Sequence, residues 1–151
     1  MLRIEIVKRA DGEGLLRYTR SDGSVTWQTQ ERYAAHFALH DLTHFAVETV
    51  LCYQRGFFGL IAEGWDLDDT TGKGKRGPLP AEATEVEAIV GVFDSERDCG
   101  QLWTVDEFNT FAPRPLNQAE ILNIRAARGK LFQRWSAVEP GGKLELRFAL
   151  D

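Results

Sequence analysis

Three histidines, His36, His40 and His44, are the residues of this chain whose type and spacing are best suited to chemistry. The sequence has no other histidine, and a spacing of four residues places these three on successive turns of a helix. Imidazole nitrogens bind metal ions and act as general acids and bases near neutral pH. Asp41 and Glu48 belong to the same segment, so carboxylates accompany the imidazoles.

Helical geometry limits which of these residues could share one metal ion. His36 and His44 would be about 12 Å apart along the helix axis, at ~1.5 Å per residue, which is too far for one ion. A metal would therefore be held by His36 with His40, or by His40 with His44. We favour the second pair, because Glu48 follows one turn later and Asp41 is adjacent. Neutral imidazoles with one or two carboxylates suit a divalent transition metal such as Zn²⁺, Fe²⁺, Ni²⁺ or Mn²⁺.

A third protein ligand would have to come from another segment. The acidic stretch that follows the predicted helix supplies four candidates, Glu63, Asp66, Asp68 and Asp69. In this hypothesis the chain is a metal-dependent, hydrolase-like enzyme whose ligands are His40 and His44. Asp41 or Glu48 would be the catalytic base, or would hold an imidazole in its orientation.

A five-residue string carries a local resemblance. His40-Asp41-Leu42-Thr43-His44 resembles the H-E-x-x-H helix of the zincin metalloproteases, with Asp41 where that family has its glutamate base. The pair His40-Asp41 is also similar to the H-D pair of the HD phosphohydrolases, an all-helical family. Both resemblances imply a metal at the histidines. Neither extends to further ligands in this chain, so each is an analogy of local geometry.

The histidine row also has a structural interpretation. We predict a helix from Glu31 to about Gln54, with Thr29 as its N-cap. One face of this helix is apolar, and the histidine side also carries Tyr33, Phe37, Val47 and Leu51. A helix that is apolar nearly all round is buried, and buried polar groups need partners. The partner is a metal ion or a hydrogen-bond network.

Besides a metal-free acid/base or ligand-binding site, in which Asp41 or Glu48 orients His40 or His44, two functional hypotheses follow. The first is the metal-dependent enzyme. The second is a non-catalytic module that binds a small ligand or a protein, in which the histidine row only stabilises the buried helix. The second hypothesis needs no third ligand, so the sequence favours it slightly. The replacement His40→Ala distinguishes them, because it should remove metal in the first case and mainly lower stability in the second.

The flanking sequence predicts an α+β fold. Alternating apolar residues predict strands near 2–6, 15–20, 25–28 and 143–150, and therefore an antiparallel sheet with three N-terminal strands and one C-terminal strand. About three helices pack against one face of the sheet. Capping patterns start helices at Pro80, Thr104 and Asn117. Residues 57–67 are assigned as irregular or a short strand, and residues 68–80 as a flexible loop or lid.

Composition and charge limit the class of protein, its location and its partners. The 151 residues are 43% hydrophobic, which fits one globular domain over 1–151 without a membrane span or a signal peptide. Cys52 and Cys99 are isolated, which favours free thiols and a cytoplasmic location. A net charge of −5 argues against nucleic acid as a partner, and leaves a small molecule, a protein or a second copy of the chain.

The charge is unevenly distributed along the chain. Residues 82–107 contain eight acidic residues and one basic residue, whereas residues 114–134 contain five basic residues and one acidic residue. We expect these two stretches to pack side by side. The alternative is that the second stretch forms a basic patch for an anionic ligand.

Overall fold

The computed structural model describes residues 1–31 and 34–150. Within them the chain forms a four-stranded antiparallel sheet and five α-helices, which confirms the predicted α+β class. In chain order the elements are β1 (Leu2–Lys8), β2 (Gly14–Thr19), β3 (Val25–Gln30), α1 (Ala34–Val50), α2 (Phe57–Glu63), α3 (Ala81–Cys99), α4 (Val105–Phe111), α5 (Gln118–Ser136) and β4 (Lys143–Phe148).

The sheet joins the two ends of the chain. Its strand order is β3-β2-β1-β4, so the N-terminal strands form a meander and β4 pairs with the remaining edge of β1. Ile4 lies opposite Tyr18 on β2 and opposite Leu146 on β4, and all three side chains are buried. The period-two pattern therefore gives the sheet one apolar face, against which the helices pack.

Helix α1 is central, because it packs against α3 and α5 and also touches the sheet. Its buried apolar residues include Leu42, Ala46 and Val47. The three later helix starts, predicted at Pro80, Thr104 and Asn117, are confirmed. Pro80 precedes α3, the Thr104 side chain accepts from the backbone N–H of Glu107, and a capping box begins α5.

The bounds of two predicted segments differ from those observed. Thr29 belongs to β3 rather than capping a helix, and α1 ends at Val50 rather than near residue 55. A turn follows in which Cys52 has a φ of 57°. Residues 57–63 are the helix α2, not irregular chain or a strand. Tyr33, which we assigned to the histidine side of the helix, lies outside the described residues.

The segment predicted as a loop or lid is partly regular. Residues Leu67–Thr71 form a 3₁₀ helix whose N-cap, Asp66, makes a capping box with Asp69. The side chain of Asp69 is buried. This part of 68–80 is therefore held by local hydrogen bonds, which its glycine-rich and polar composition did not predict.

The acidic and basic stretches pack side by side, as expected. Arg114 of the basic stretch lies near Glu85, and Arg125 and Arg128 both lie near Glu96 of α3. Cys52 and Cys99 are free and exposed, which confirms the thiol assignment. In the described part of the chain, none of the helices has the length and apolar character that crossing a membrane requires.

Candidate metal centre

The packing of α1 against α3 brings two histidines to two carboxylates. His40 and His44 stand one turn apart on α1, and Glu87 and Asp94 stand two turns apart on one face of α3. The hydrophobic residues around them on α3, such as Val90, fix this face against α1 because they are fully buried. The polar cluster therefore lies at the interface between α1 and α3, which pack together through the hydrophobic core.

His44 is buried between two carboxylates. Its Nδ1 lies 3.1 Å from Oε2 of Glu48, and its Nε2 lies 2.6 Å from Oε2 of Glu87. Both ring nitrogens can donate only if the imidazole is protonated. Burial lowers the pKa of His44, but the hydrogen bonds to Glu48 and Glu87 outweigh burial and raise the pKa to about 10.

His40 is arranged in the same way, with Asp94 at its Nδ1 and Glu87 again at its Nε2. Its Nδ1 lies 2.6 Å from Oδ2 of Asp94, and its Nε2 lies 3.6 Å from Oε1 of Glu87. The 3.6 Å separation is too long for a hydrogen bond. The imidazole planes of His40 and His44 stand at 78° to each other, with centroids 4.8 Å apart. Two Nε2 atoms thus point at the two oxygens of one carboxylate.

Three of these residues lie close enough together that they could hold one metal ion. One donor atom from each of His40, His44 and Glu87 lies within 4.8 Å of the other two. Metal–ligand bonds of about 2.0–2.2 Å at tetrahedral angles separate neighbouring ligand atoms by roughly 3.4 Å. Nε2 of His40 lies near this distance from Oε1 of Glu87, at 3.6 Å. Nε2 of His44 lies closer, 2.6 Å from the other oxygen, Oε2, so an ion would require these side chains to shift.

Glu48 and Asp94 hold the two imidazoles in orientation. The Glu48 side chain is fully buried, and its Oε1 accepts from the backbone N–H of Phe58 at 2.9 Å. Gly56 leaves the space for this carboxylate, because a Cβ there would clash with the Glu48 side chain. Burial raises the pKa of Asp94, but the hydrogen bond from His40 and nearby positive charge lower it overall.

Asp41, the other predicted catalytic residue, lies close enough to His40, His44 and Glu87 to interact with them electrostatically. It is buried, and its Oδ2 has no hydrogen-bond partner in the described part of the molecule. Burial raises the pKa of Asp41 to about 6, although the positive charges of His44 and His40 oppose that shift. Glu48 likewise has no solvent-facing surface, so its contacts are those of a residue that positions His44.

His36 is not brought into this group. Its side chain is exposed, and its ring stacks on that of His40 at a centroid distance of 6.4 Å. The four acidic residues considered as third ligands are engaged elsewhere or face solvent. Glu63 pairs with Arg55, Asp66 pairs with Arg20, Asp69 caps the 3₁₀ helix, and Asp68 is exposed.

Sequence reasoning did not single out Glu87 or Asp94. The two residues belong to the acidic stretch on the predicted second long helix, and their spacing of seven places them on one face. That face adjoins the buried apolar positions Val86, Val90 and Phe93, so the sequence does indicate that Glu87 and Asp94 lie close to the core. The sequence does not indicate which helix packs against α1.

Comparison of the chain with protein-family models, with curated proteins and with solved structures finds no significant match. Function is therefore inferred from the geometry of the chain itself.

Proposed function

We propose that this protein binds a divalent transition-metal ion through Nε2 of His40, Nε2 of His44 and the carboxylate of Glu87. One observation carries the proposal. Each imidazole has its Nδ1 held by a separate carboxylate, and both Nε2 atoms are directed at the same third carboxylate. Metal-binding histidines characteristically donate their other ring N–H to a carboxylate, which fixes the tautomer and the ring orientation.

The donor set indicates the class of ion. Two imidazoles and one carboxylate suit Zn²⁺ or Fe²⁺ better than Ca²⁺ or Mg²⁺, which prefer oxygen ligands. The Glu87 side chain is 57% exposed, whereas that of His44 is 4% exposed. The ligand set is therefore closed toward the core and open toward solvent.

This openness favours a reactive centre over a purely structural one. Structural zinc sites use four protein ligands, whereas catalytic sites use three and leave a position for water or substrate. An ion held here would supply Lewis-acid chemistry, which fits the hydrolase-like alternative derived from the sequence. Glu48 and Asp94 would orient the imidazoles, and Asp41 is the nearby carboxyl group whose Oδ2 has no hydrogen-bond partner among the described residues.

The competing hypothesis is a metal-free ion-pair network inside a non-catalytic module. It accounts for the two contacts of His44, because a protonated imidazole between two carboxylates is self-sufficient. It accounts less closely for Nε2 of His40, which faces Glu87 at 3.6 Å, within ion-pair range but beyond hydrogen-bond distance. Four carboxylates against two imidazoles and Arg97, which lies beside Asp94, also leave excess negative charge that a divalent cation would offset.

Metal content measured on protein without a histidine tag tests the proposal. Chelator-treated protein is loaded with Zn²⁺, dialysed and analysed by mass spectrometry, and its Zn²⁺ affinity is measured by competition with a chromophoric chelator. We expect about one ion per chain in the wild type, and loss of that ion in His40→Ala, His44→Ala and Glu87→Gln.

His36→Ala is the matched control, because His36 stands on the same helix one turn before the ligand set. We expect this variant to keep its metal, and circular dichroism should show that all four variants are folded. Absence of bound metal in the wild type after incubation with Zn²⁺, Mn²⁺ and Fe²⁺ would contradict the proposal. Equal metal loss in His36→Ala and His44→Ala would contradict the assigned ligands.

A further inference from the structure

A second cluster of charged side chains lines a surface cavity at the C-terminal end of α3. The cavity has a volume of about 320 Å³ and receives Arg97 from α3 and Arg125 and Arg128 from α5. These three side chains are only 23%, 16% and 10% exposed. Three guanidinium groups are therefore gathered in one place and largely withdrawn from water.

One buried carboxylate within the cavity, Glu96, offsets only part of this charge. Its side chain is 1% exposed. Arg125 donates to both of its oxygens, the backbone N–H of Trp103 donates to Oε2, and Nη2 of Arg128 lies 3.6 Å from Oε1. The oxygens of Glu96 are thus already shared among several donors. The residues that line the cavity include three guanidinium groups and one carboxylate, and Asp94 and Asp98, which lie near Arg97, offset part of the remaining positive charge.

Arg97 has donors that the described residues do not satisfy. Its Nε and Nη2 are buried without a hydrogen-bond partner there. The nearest carboxylates are Asp94, 3.6 Å from Nη2, and Asp98, 3.9 Å from Nη1. Asp94 gives its other oxygen to His40, and Asp98 is 63% exposed, so neither is a close acceptor for Arg97. Unsatisfied buried donors are costly, so the Arg97 guanidinium would gain from turning toward an acceptor in the cavity that its side chain lines.

Arg128 is held rigidly against aromatic rings. Its guanidinium carbon lies 5.4 Å from the centroid of Phe93 and 5.8 Å from that of Phe132, and Nη1 donates to the carbonyl of Phe93. Burial lowers the pKa of Arg128, as do the charges of Arg125 and Arg97, although Glu96 opposes this shift. The positive charges therefore repel one another in the absence of an anion.

The cavity also has space and apolar walls. Gly129 has no atom within 4 Å of the position that a Cβ would occupy, and Gly100 ends α3 in the left-handed conformation with a φ of 68°. Phe132 and Leu102 line the same cavity. A ligand that fits would combine an anionic group with an apolar or aromatic body.

We propose that this cavity binds a small phosphate monoester, with the phosphate between Arg97, Arg125 and Arg128 and the organic group against Phe132. The phosphate is anionic at neutral pH, which complements the positive charge of the three arginines that line the cavity. Planar guanidinium forks bind phosphate oxygens in bidentate fashion. The inference does not rest on the metal centre, since His40, His44 and Glu87 do not line this cavity, although Arg97 lies 3.6 Å from Asp94, the residue that orients His40.

Calorimetric titration with phenyl phosphate, inorganic phosphate and benzoate tests this inference on chelator-treated protein. We expect one phenyl phosphate per chain, bound more tightly than either of the other two probes, with an affinity that falls as salt is added. Arg97→Gln should weaken binding about 10- to 100-fold, as expected for the loss of a charge-assisted hydrogen bond. Arg97 is chosen because its replacement leaves the Arg125–Glu96 pair in place.

Arg17→Gln is the matched control, because Arg17 is 50% exposed on β2 and does not line the cavity. It should bind phenyl phosphate as the wild type does. The inference is wrong if phenyl phosphate shows no saturable binding at millimolar concentration, or if Arg97→Gln binds it as well as Arg17→Gln. Tighter binding of benzoate would overturn the assignment of a phosphate group. Binding that requires added Zn²⁺ would place the phosphate at the metal centre instead.

Discussion

At the scale of single residues, the candidate metal centre depends on carboxylates that differ in exposure and therefore in role. Glu87 is more than half exposed and faces both Nε2 atoms, whereas Glu48 is fully buried and faces one Nδ1. The histidines were recognisable from their spacing alone, because i and i+4 positions share a helix face. Their partners on α3, Glu87 and Asp94, are brought to them by tertiary packing, which the spacing of the histidines does not predict.

Replacing an orienting carboxylate should weaken metal binding without abolishing it. Glu48→Gln and Asp94→Asn keep the side-chain shape but remove the charge that holds the Nδ1–H of His44 or His40. We expect each to lower Zn²⁺ affinity about 10- to 100-fold, measured by chelator competition. Asp98→Asn, an exposed neighbour on α3, is the control and should leave the affinity unchanged. Wild-type affinity in both test variants would contradict the orienting roles.

A different buried carboxylate, Glu5, should make stability depend on pH. It is 5% exposed on the outer side of β1, where Lys143 donates to it and Arg3 and Arg17 lie within 4.0 Å. The hydrogen bond from Lys143 lowers the pKa of Glu5 below its ordinary value of 4.5. Between the folded and unfolded pKa values the unfolded chain binds more protons, so this stabilisation is present above pH 4.5 and disappears as the pH falls through the folded pKa.

The Glu5→Gln variant measures that contribution. The basic partners are about half exposed, so we expect a loss of only about 1 kcal/mol in the free energy of unfolding at pH 7. The difference from wild type should vanish near pH 2. Urea unfolding at both pH values gives the numbers, with Glu145→Gln, opposite Glu5 on β4, as the control. A difference that persisted unchanged at pH 2 would show that the effect is not electrostatic.

At the scale of elements, the strands and helices with short-range sequence signals were predicted correctly, whereas helix α2, which depends on tertiary contacts, was not. Strands with period-two alternation and helices with capping residues form as predicted, because those signals act within a few residues. Helix α2 was missed because Phe57–Ala62 is an apolar run that contains Gly59, and the apolar residues in such a run do not repeat with the period of a helix. Its burial against the sheet and α1 makes the helix stable.

Gly59 shows how closely α2 packs on the preceding turn. A Cβ at this position would collide with the backbone carbonyl of Gln54, which cannot move aside as a side chain can. We expect Gly59→Ala to lower the free energy of unfolding by about 1–3 kcal/mol. Gly91, in the middle of α3, has open space within 4 Å of the point where a Cβ would stand, so Gly91→Ala should raise stability by about 0.5–1 kcal/mol. Denaturant unfolding of both variants measures the contrast, and equal effects would contradict it.

At the scale of the whole molecule, a metal at the proposed centre would connect two helices that otherwise meet through side-chain packing and ion pairs. Helix α1 contacts the sheet and both other long helices, and α3 carries Glu87 on the side that faces α1. An ion bound to residues of both helices would oppose their separation. Ligands that bind only the folded chain add to its stability by mass action.

Thermal unfolding should therefore report the metal centre. Zn²⁺ at 100 times its Kd should add about 2.7 kcal/mol, which for a chain of this size corresponds to a rise in Tm of roughly 5–10 °C. A chelator should reverse the rise, His36→Ala should retain it, and Glu87→Gln should lose it. Because Glu87 is more than half exposed, its replacement should alter the metal-free Tm much less than the metal-dependent shift. Equal rises in Tm in the wild type and Glu87→Gln would instead mean that Zn²⁺ stabilises the fold from another position. The ion would then not be bound between α1 and α3.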